Sequence, residues 1–277
     1  MGIQEISFDK SLEKFERIGV AYSGGLDSTV LLHALSQETT YKSKINAIHV
    51  NHSISPDSDK WEASCKKNAD ELGVKFFSYK LEEVKDISED NLRKIRYEKF
   101  NHWASSNDLI LTAHHKDDQV ETIIFRFIRG TGLNGLRGIP AWRKDGNFIF
   151  HRPLLDISKE ELYEYAQNNK LEWVEDESNK DTNISRNFIR NILLPTIKDK
   201  WPNVEKSILH LSSEATKSNK ILKSVAKQDL EGLVIKENSY NLYKYLSLPE
   251  ERAENLLYFL INYEIGLEAN SNYLKEI

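Results

Sequence analysis

The 277-residue chain carries 38 Lys and Arg against 43 Asp and Glu, a formal charge of −5, so no chain-wide positive field advertises nucleic acid and any such surface must be local. With 39% hydrophobic and 29% charged residues it can build a core, and no apolar run approaches the ~18 residues of a membrane span, which predicts a soluble globular protein with no membrane partner. One cysteine, Cys65, excludes an intramolecular disulfide and a cysteine metal cluster, and the lack of an apolar stretch behind Met1 to Lys10 joins it in predicting a cytoplasmic setting.

The first predicted unit runs from Ile18 to Leu32: an apolar strand, a tight turn at Ser23-Gly24-Gly25, and an apolar run of helical character. Strand, glycine turn and helix N-terminus together aim backbone N–H groups and the positive end of a helix dipole at one point, which is an anion site. Gly24 and Gly25 let the backbone approach a ligand closely, and Ser23, Ser28 and Thr29 supply hydroxyl donors for phosphate oxygens. Asp27 would repel bound phosphate unless a cation lay between, so it predicts Mg²⁺ with Asp27 as its ligand. The spacing and lysine of a Walker A loop are missing.

Strands and helices then alternate: strand Ile45 to Val50, helix Ser58 to Leu72 stopped by Gly73, strand Val74 to Tyr79, helix Glu89 to Ala104, strand Leu109 to Thr112. Cys65, in mid-helix, reads as buried packing. This alternation predicts an α/β fold with a doubly wound parallel sheet, whose ligands sit beyond the carboxyl ends of the strands. Those ends carry His49-Val50-Asn51-His52 and Ala113-His114-His115-Lys116-Asp117-Asp118-Gln119. The second opens a helix on which Asp118 and Glu121 lie one turn apart, able to hold a cation or an ammonium group, while Asp117 is a natural N-cap. Adjacent histidines point in different directions, so His114-His115 is not read as a zinc site.

The helix runs into the glycine-rich loop from Arg129 to Pro140. Between Ile123 and Arg152 six Lys or Arg face Asp145 alone, a local charge of +5, which marks Arg129, Arg137 and Arg143 as candidate contacts to a nucleic acid.

Ser23-Gly24-Gly25-Leu26-Asp27-Ser28 resembles the S-G-G-x-D-S signature of the PP-loop ATP pyrophosphatases, which cleave ATP to AMP and pyrophosphate. Within that group the chain resembles the tRNA(Ile)-lysidine synthetases over about residues 15 to 210. The likeness rests on His49 to His52, Glu89 to Arg93 with Arg96-Tyr97, His114 to Glu121, Arg129-Gly130-Thr131-Gly132, Arg152-Pro153-Leu154-Leu155, Glu175 to Asn179, and Arg186 to Arg190. Two departures stand out. Ser53, Ile54 and Ser55 replace the usual glycine, leucine and arginine after H-V-N-H, and Leu92 replaces an alanine before Arg93.

The resemblance implies ATP with Mg²⁺ as cofactors, adenylation of the wobble cytidine of a CAU-anticodon tRNA(Ile), and displacement of AMP by the ε-amine of L-lysine. The loop Ser23, Gly24, Gly25, Leu26, Asp27 and Ser28 would hold pyrophosphate, Arg93 and Arg186 the ATP phosphates or the adenylate, and Asp118 with Glu121 the lysine. The alternatives within the PP-loop group are tRNA thiolation, which a lone Cys65 disfavours, and small-molecule amidation, for which no glutaminase segment is present.

In the C-terminal part, Ser158 and Glu161 form a capping box for a helix to about Asn168, a second helix covers Ser185 to Ile197 with Pro195 as a loose stop, and Arg186 and Arg190 share a face on it. A long helix from Val204 to Leu230, short extended pieces near Leu233 and Tyr240, and a helix from Glu250 to Tyr263 follow. The predicted division is a catalytic PP-loop domain over 1–205 and a smaller, mainly helical tRNA-binding domain over 206–277. A further C-terminal domain of long family members finds no counterpart in the 277 residues, and the oligomeric state is left open, a homodimer included.

Overall fold

The computed structural model describes residues 5–81, 88–146, 148–175, 181–236 and 239–265. Among these, the main sheet has six strands: β1 (Arg17–Ala21), β2 (Ile45–Asn51), β3 (Lys75–Lys80), β4 (Asp108–Leu111), β5 (Trp142–Asp145) and β6 (Phe148–His151). Their order is β3-β2-β1-β4-β6-β5, all parallel except β5, which turns back on β6 as an edge hairpin.

Period-two alternation sorts the side chains onto two faces. Ile18, Val20, Ala47, Leu109 and Leu111 enter one core, with Leu31 and Leu35 of α1 (Leu26–Gln37) and Leu162 of α6 (Lys159–Asn168). Ile48, Ile110, Phe148 and Phe150 enter the other, with Phe100 and Trp103 of α3 (Glu89–Trp103). A Cβ on Gly19 would lie 2.4 Å from Ile48 Cδ1 and 2.8 Å from the Trp103 ring, so only glycine lets α3 pack this close to β1. The predicted helix from Ser58 is α2 (Ser58–Glu71), and its Cys65 is buried, as the sequence suggests. The Ser158–Glu161 capping box forms, with both reciprocal hydrogen bonds present.

The β5–β6 hairpin is an addition to the predicted pattern, and it puts Arg143 and Lys144 of the basic stretch on a strand. Pro195 does not end its helix. α7 (Ser185–Phe188) passes through a π-helical turn, Ile189–Leu193, into α8 (Leu194–Lys200), and Pro195 is accommodated directly after that turn, where the helical hydrogen-bond register shifts. α9 (Val204–Leu233) extends three residues beyond the predicted Leu230.

The chain divides into two compact units: Met1–Gln119 with Ile139–Asn187, and Val120–Gly138 with Phe188–Ile277. This differs from the predicted single cut between 205 and 206, because the division runs through α4 (Lys116–Ile128) and through the helix after Asn187. The second unit is mainly helical. Val120 and Ile124 pack there with Ile189 and Leu194, while Ala226 and Leu233 of α9 pack with Leu256 and Phe259 of α11 (Glu250–Phe259). Arg252 Nε donates to the buried Asp229 Oδ2 at 3.0 Å beneath that second cluster. No helix among the described residues is long and apolar enough to cross a membrane.

Candidate active site

In the sheet order the connections reverse direction between β1 and β4, so the crevice lies beyond the carboxyl ends of these two neighbours. The turn after β1 is the glycine loop. Gly24 takes φ +86, and a Cβ there would come within 2.5 Å of Cys65 Sγ, so the position requires glycine both by conformation and by space. Gly24 carbonyl accepts from Val174 N–H at 2.9 Å, which ties the loop to the segment after α6.

Gly25 precedes α1 as an N-cap with no side-chain hydrogen bond, and the helix presents its dipole end there. The hydroxyls divide their work. Ser23 is exposed, but Ser28 Oγ donates to Gly25 carbonyl at 3.0 Å and Thr29 Oγ1 to Gly24 carbonyl at 3.3 Å. Ser28 and Thr29 are buried, so the expectation that Thr29 meets phosphate gives way to a role in bracing the loop.

The turn after β4 brings acids to the same point. The side chain of His115 is 2% exposed, and its Nε2 stands 3.6 Å from Asp27 Oδ2 and 3.6 Å from Asp118 Oδ2. Its Nδ1 accepts from Asp117 N–H at 3.2 Å and lies 3.5 Å from Asp117 Oδ2. Burial alone would lower the imidazole pKa, but the Asp117 carboxylate beside the ring and the charges of Asp118 and Asp27 outweigh it and raise the pKa above the ordinary value. Asp117 is not simply the cap of its own helix. Its Oδ2 accepts from Lys159 N–H at 2.8 Å, at the start of α6, and although burial opposes it, this bond and His115 bring its carboxyl down to about 2. Asp118 Oδ2 accepts from His115 N–H at 3.0 Å, which fixes its carboxylate over the first turn of α4.

Asp27 suits the predicted Mg²⁺. Among the described residues no group of three or more His, Cys, Asp or Glu is placed to hold a metal ion, and Mg²⁺ asks for less, one or two carboxylates completed by water and phosphate oxygens.

His114 turns the other way. Its Nδ1 lies 2.9 Å from Thr112 Oγ1, and burial, with the charges of Arg152, Arg93 and Arg186, brings its pKa down to about 4 against the pull of Asp118, so the ring is neutral. The charges of Arg152, Arg93 and Arg186 thus all bear on this one ring. Arg152 is 2% exposed and donates to Pro140 carbonyl at 2.7 Å. Its place at the end of β6, parallel to β4, is the signal that could have marked it from sequence. Most of Glu175 to Asn179 lies outside the described residues.

Glu121 is held by a cation of its own. It belongs to the second unit, is buried, and both its oxygens accept from Arg190: Oε1 from Nε at 2.6 Å and Oε2 from Nη2 at 2.8 Å. A carboxylate gripped by a guanidinium fork is charge-compensated and fixed in orientation. Arg190 in turn does not extend a basic face from Arg186.

The three candidate tRNA arginines also separate. Arg137 Nη1 donates to Asn134 Oδ1 at 2.9 Å and Asn219 Oδ1 at 3.4 Å, which gives it a structural role within the second unit. Arg129 is exposed, with its guanidinium 5.2 Å from the Phe125 ring centroid. Arg143, on β5 of the first unit, is exposed and pairs with Asp145 at 2.8 Å. Arg126, not singled out from sequence, donates to Gly135 and Gly138 carbonyls at 3.1 and 2.7 Å and holds the glycine-rich loop.

A family model described as a PP-loop domain matches residues 3–197. Among curated relatives, a tRNA(Ile)-lysidine synthase of Coxiella burnetii is 35% identical over 258 residues, covering 91% of this chain and 57% of its own length. One from Pseudomonas fluorescens is 38% identical over 214 residues, covering 76% and 48%. The chain thus spans about half the length of these relatives. Among solved structures, the U34-tRNA thiolase NcsA from Methanococcus maripaludis aligns with a TM-score of 0.58 at 17% identity over 74% of each chain, a likeness of fold.

Proposed function

Because the chain belongs to the PP-loop family, whose domain model covers residues 3–197, we propose that it ligates L-lysine to C2 of the wobble cytidine of a CAU-anticodon tRNA(Ile) at the expense of ATP. The observation that carries the proposal is His115: its Nε2 holds Asp27 of the nucleotide loop and Asp118 of the β4–α4 turn at 3.6 Å each, so the acid of ATP activation and the acid suited to an amine meet at one point. The similarity to lysidine synthases over most of this chain supports the same substrate set.

The chain's own groups divide the reaction. In the first step the cytidine O2 attacks the α-phosphorus and pyrophosphate leaves. The Ser23–Ser28 loop and the N-terminus of α1 receive the pyrophosphate oxygens, and Arg93, Arg186 and Arg152 face the charge that builds on the transferred phosphate. Mg²⁺, held through Asp27, would supply further charge neutralisation between the phosphates. In the second step the lysine ε-nitrogen attacks C2 and AMP leaves with the C2 oxygen. Asp118 holds the incoming ammonium, and a carboxylate of the His115 cluster accepts the proton that the nitrogen must lose before attack. A charge-assisted hydrogen bond of this kind contributes about 1.5–3 kcal/mol. Thiolation finds no support in Cys65: burial pushes its thiol up to about 12, out of the range of a thiolate nucleophile.

The test is AMP release from ATP. It should require lysine and the CAU tRNA together, and Asp27→Ala should abolish it while leaving the circular dichroism spectrum unchanged. AMP release indifferent to lysine would refute lysine as the acceptor, and unchanged turnover in Asp27→Ala would remove that residue from the ATP site.

A further inference from the structure

Within the first unit, a cleft of about 430 Å³ runs between α3 and the β5–β6 hairpin. Arg93, Lys94, Tyr97 and Asn101 of α3 form one wall, and Arg143 with Phe148 form the other. Its centre is Tyr97, whose ring is fixed against Phe150 with centroids 4.8 Å apart. The guanidinium of Arg93 stands 5.1 Å from the Tyr97 ring centroid and that of Arg143 5.7 Å, and Arg93 Nη2 donates to the Tyr97 hydroxyl at 3.0 Å. Two forks are thus held in place on one packed aromatic ring, which removes much of the entropy they would otherwise lose on gripping a ligand. Asp145, paired with Arg143 at 2.8 Å, orients that fork, and Glu98 completes the lining.

We propose that this cleft receives a nucleotide flanking the modified cytidine, with its phosphodiester on Arg143 and Lys94 and its base toward Tyr97 and Phe148. The inference rests on the tRNA-ligase reading and deepens it by giving Arg143 a defined place and Lys94 and Tyr97 a role. Three features select single-stranded RNA. The volume suits one nucleotide and not a duplex. Arginine planes and aromatics in one groove are the means by which splayed bases of RNA loops are gripped. The lining is the third: Arg93, which the ligase reading gives to the transferred phosphate, also lines the cleft, so a nucleotide next to the reacting cytidine comes to lie along it. Arg129 and Arg137 have no part in this cleft, which separates them from Arg143 in function.

The experiment measures equilibrium binding of transcribed CAU tRNA(Ile) to the full chain across a salt series, for wild type, Lys94→Ala/Arg143→Ala, and the exposed control Lys66→Ala/Lys67→Ala, with ATP affinity measured in parallel. The cleft variant should bind tRNA at least about tenfold more weakly, and the slope of log K against log salt should fall by about 0.7, the value for one lost single-strand phosphate contact. The control and all ATP affinities should hold. Unchanged tRNA affinity and slope in the cleft variant overturn the inference. So does a loss confined to ATP, which would assign the cleft to free nucleotide. A wild-type chain that binds this tRNA no better than an unrelated RNA overturns the tRNA reading itself, and the inference with it.

Discussion

Arg190→Met tests the pairing of Glu121. Glu121 has a side chain 3% exposed, and Arg190, at 28%, grips both of its oxygens. Deleting one member of such a pair strands a buried carboxylate, at a cost of about 3–5 kcal/mol. That is roughly two to four decades in the unfolding equilibrium, against a typical total of about 5–15 kcal/mol. Replacing both members by apolar groups removes the stranded charge, so Glu121→Leu/Arg190→Met should recover to within about 1–2 kcal/mol of wild type. Urea unfolding followed by tryptophan fluorescence and by far-ultraviolet circular dichroism at 25 °C gives the four corners of the cycle, with the second unit read through Trp201. A cost below about 1 kcal/mol for Arg190→Met, or a double variant no more stable than the single one, would refute the view that this pair anchors α4 in its unit.

Asp118→Asn keeps shape and loses charge, so it should raise the lysine KM about tenfold or more while the adenylated tRNA still accumulates when lysine is omitted; loss of the adenylate instead would move Asp118 to the ATP site. Gly24→Ala must place its Cβ within 2.5 Å of Cys65 Sγ at φ +86, and should lower stability by about 2 kcal/mol or more; Cys65→Ala in the same chain should restore part of this, and no restoration would contradict the contact. His52 is brought down to about 4 by burial and by the charges of Arg96 and His49, and both ring nitrogens are buried without a hydrogen-bond partner. Its unfolded form protonates near pH 6.5, so the stability it contributes is complete above that pH and is lost as pH falls toward 4. His52→Gln should flatten the fall of the urea midpoint over that window, and an unaltered pH profile would refute the argument.

The parts of the fold that were legible in the sequence are those encoded locally. The Ser23 turn has its strand, its glycines and its helix within fifteen residues, and the run of alternating strands and helices fixed the parallel sheet, so Asp27, His114 and Asp118 fell on the correct edge. The β5–β6 hairpin escaped because Trp142-Arg143-Lys144-Asp145 is an exposed edge strand with no apolar alternation, although Asp145-Gly146 before Phe148-Ile149-Phe150 is a turn signal followed by a strand signal. The fate of Glu121 could not be read, since Arg190 lies 69 residues away and the helical spacing that links Glu121 to Asp118 says nothing of a tertiary partner. The unit boundary was hidden for a related reason: α4 is one uninterrupted helix in sequence, and only its packing divides it. Ser53 shows the reverse case. It replaces a glycine usual in the family, and it adopts φ 55, the left-handed region for which glycine is suited.

The most direct measurement is transfer of isotopically labelled lysine to tRNA. With ATP present, the label should become acid-precipitable on the CAU tRNA(Ile), one per tRNA, should be recovered after nuclease digestion on the wobble nucleoside, and should vanish when that cytidine is replaced by uridine. Incorporation that ignores the wobble base, or AMP and pyrophosphate formed with no lysine on the RNA, would contradict lysine ligation and leave only the PP-loop chemistry.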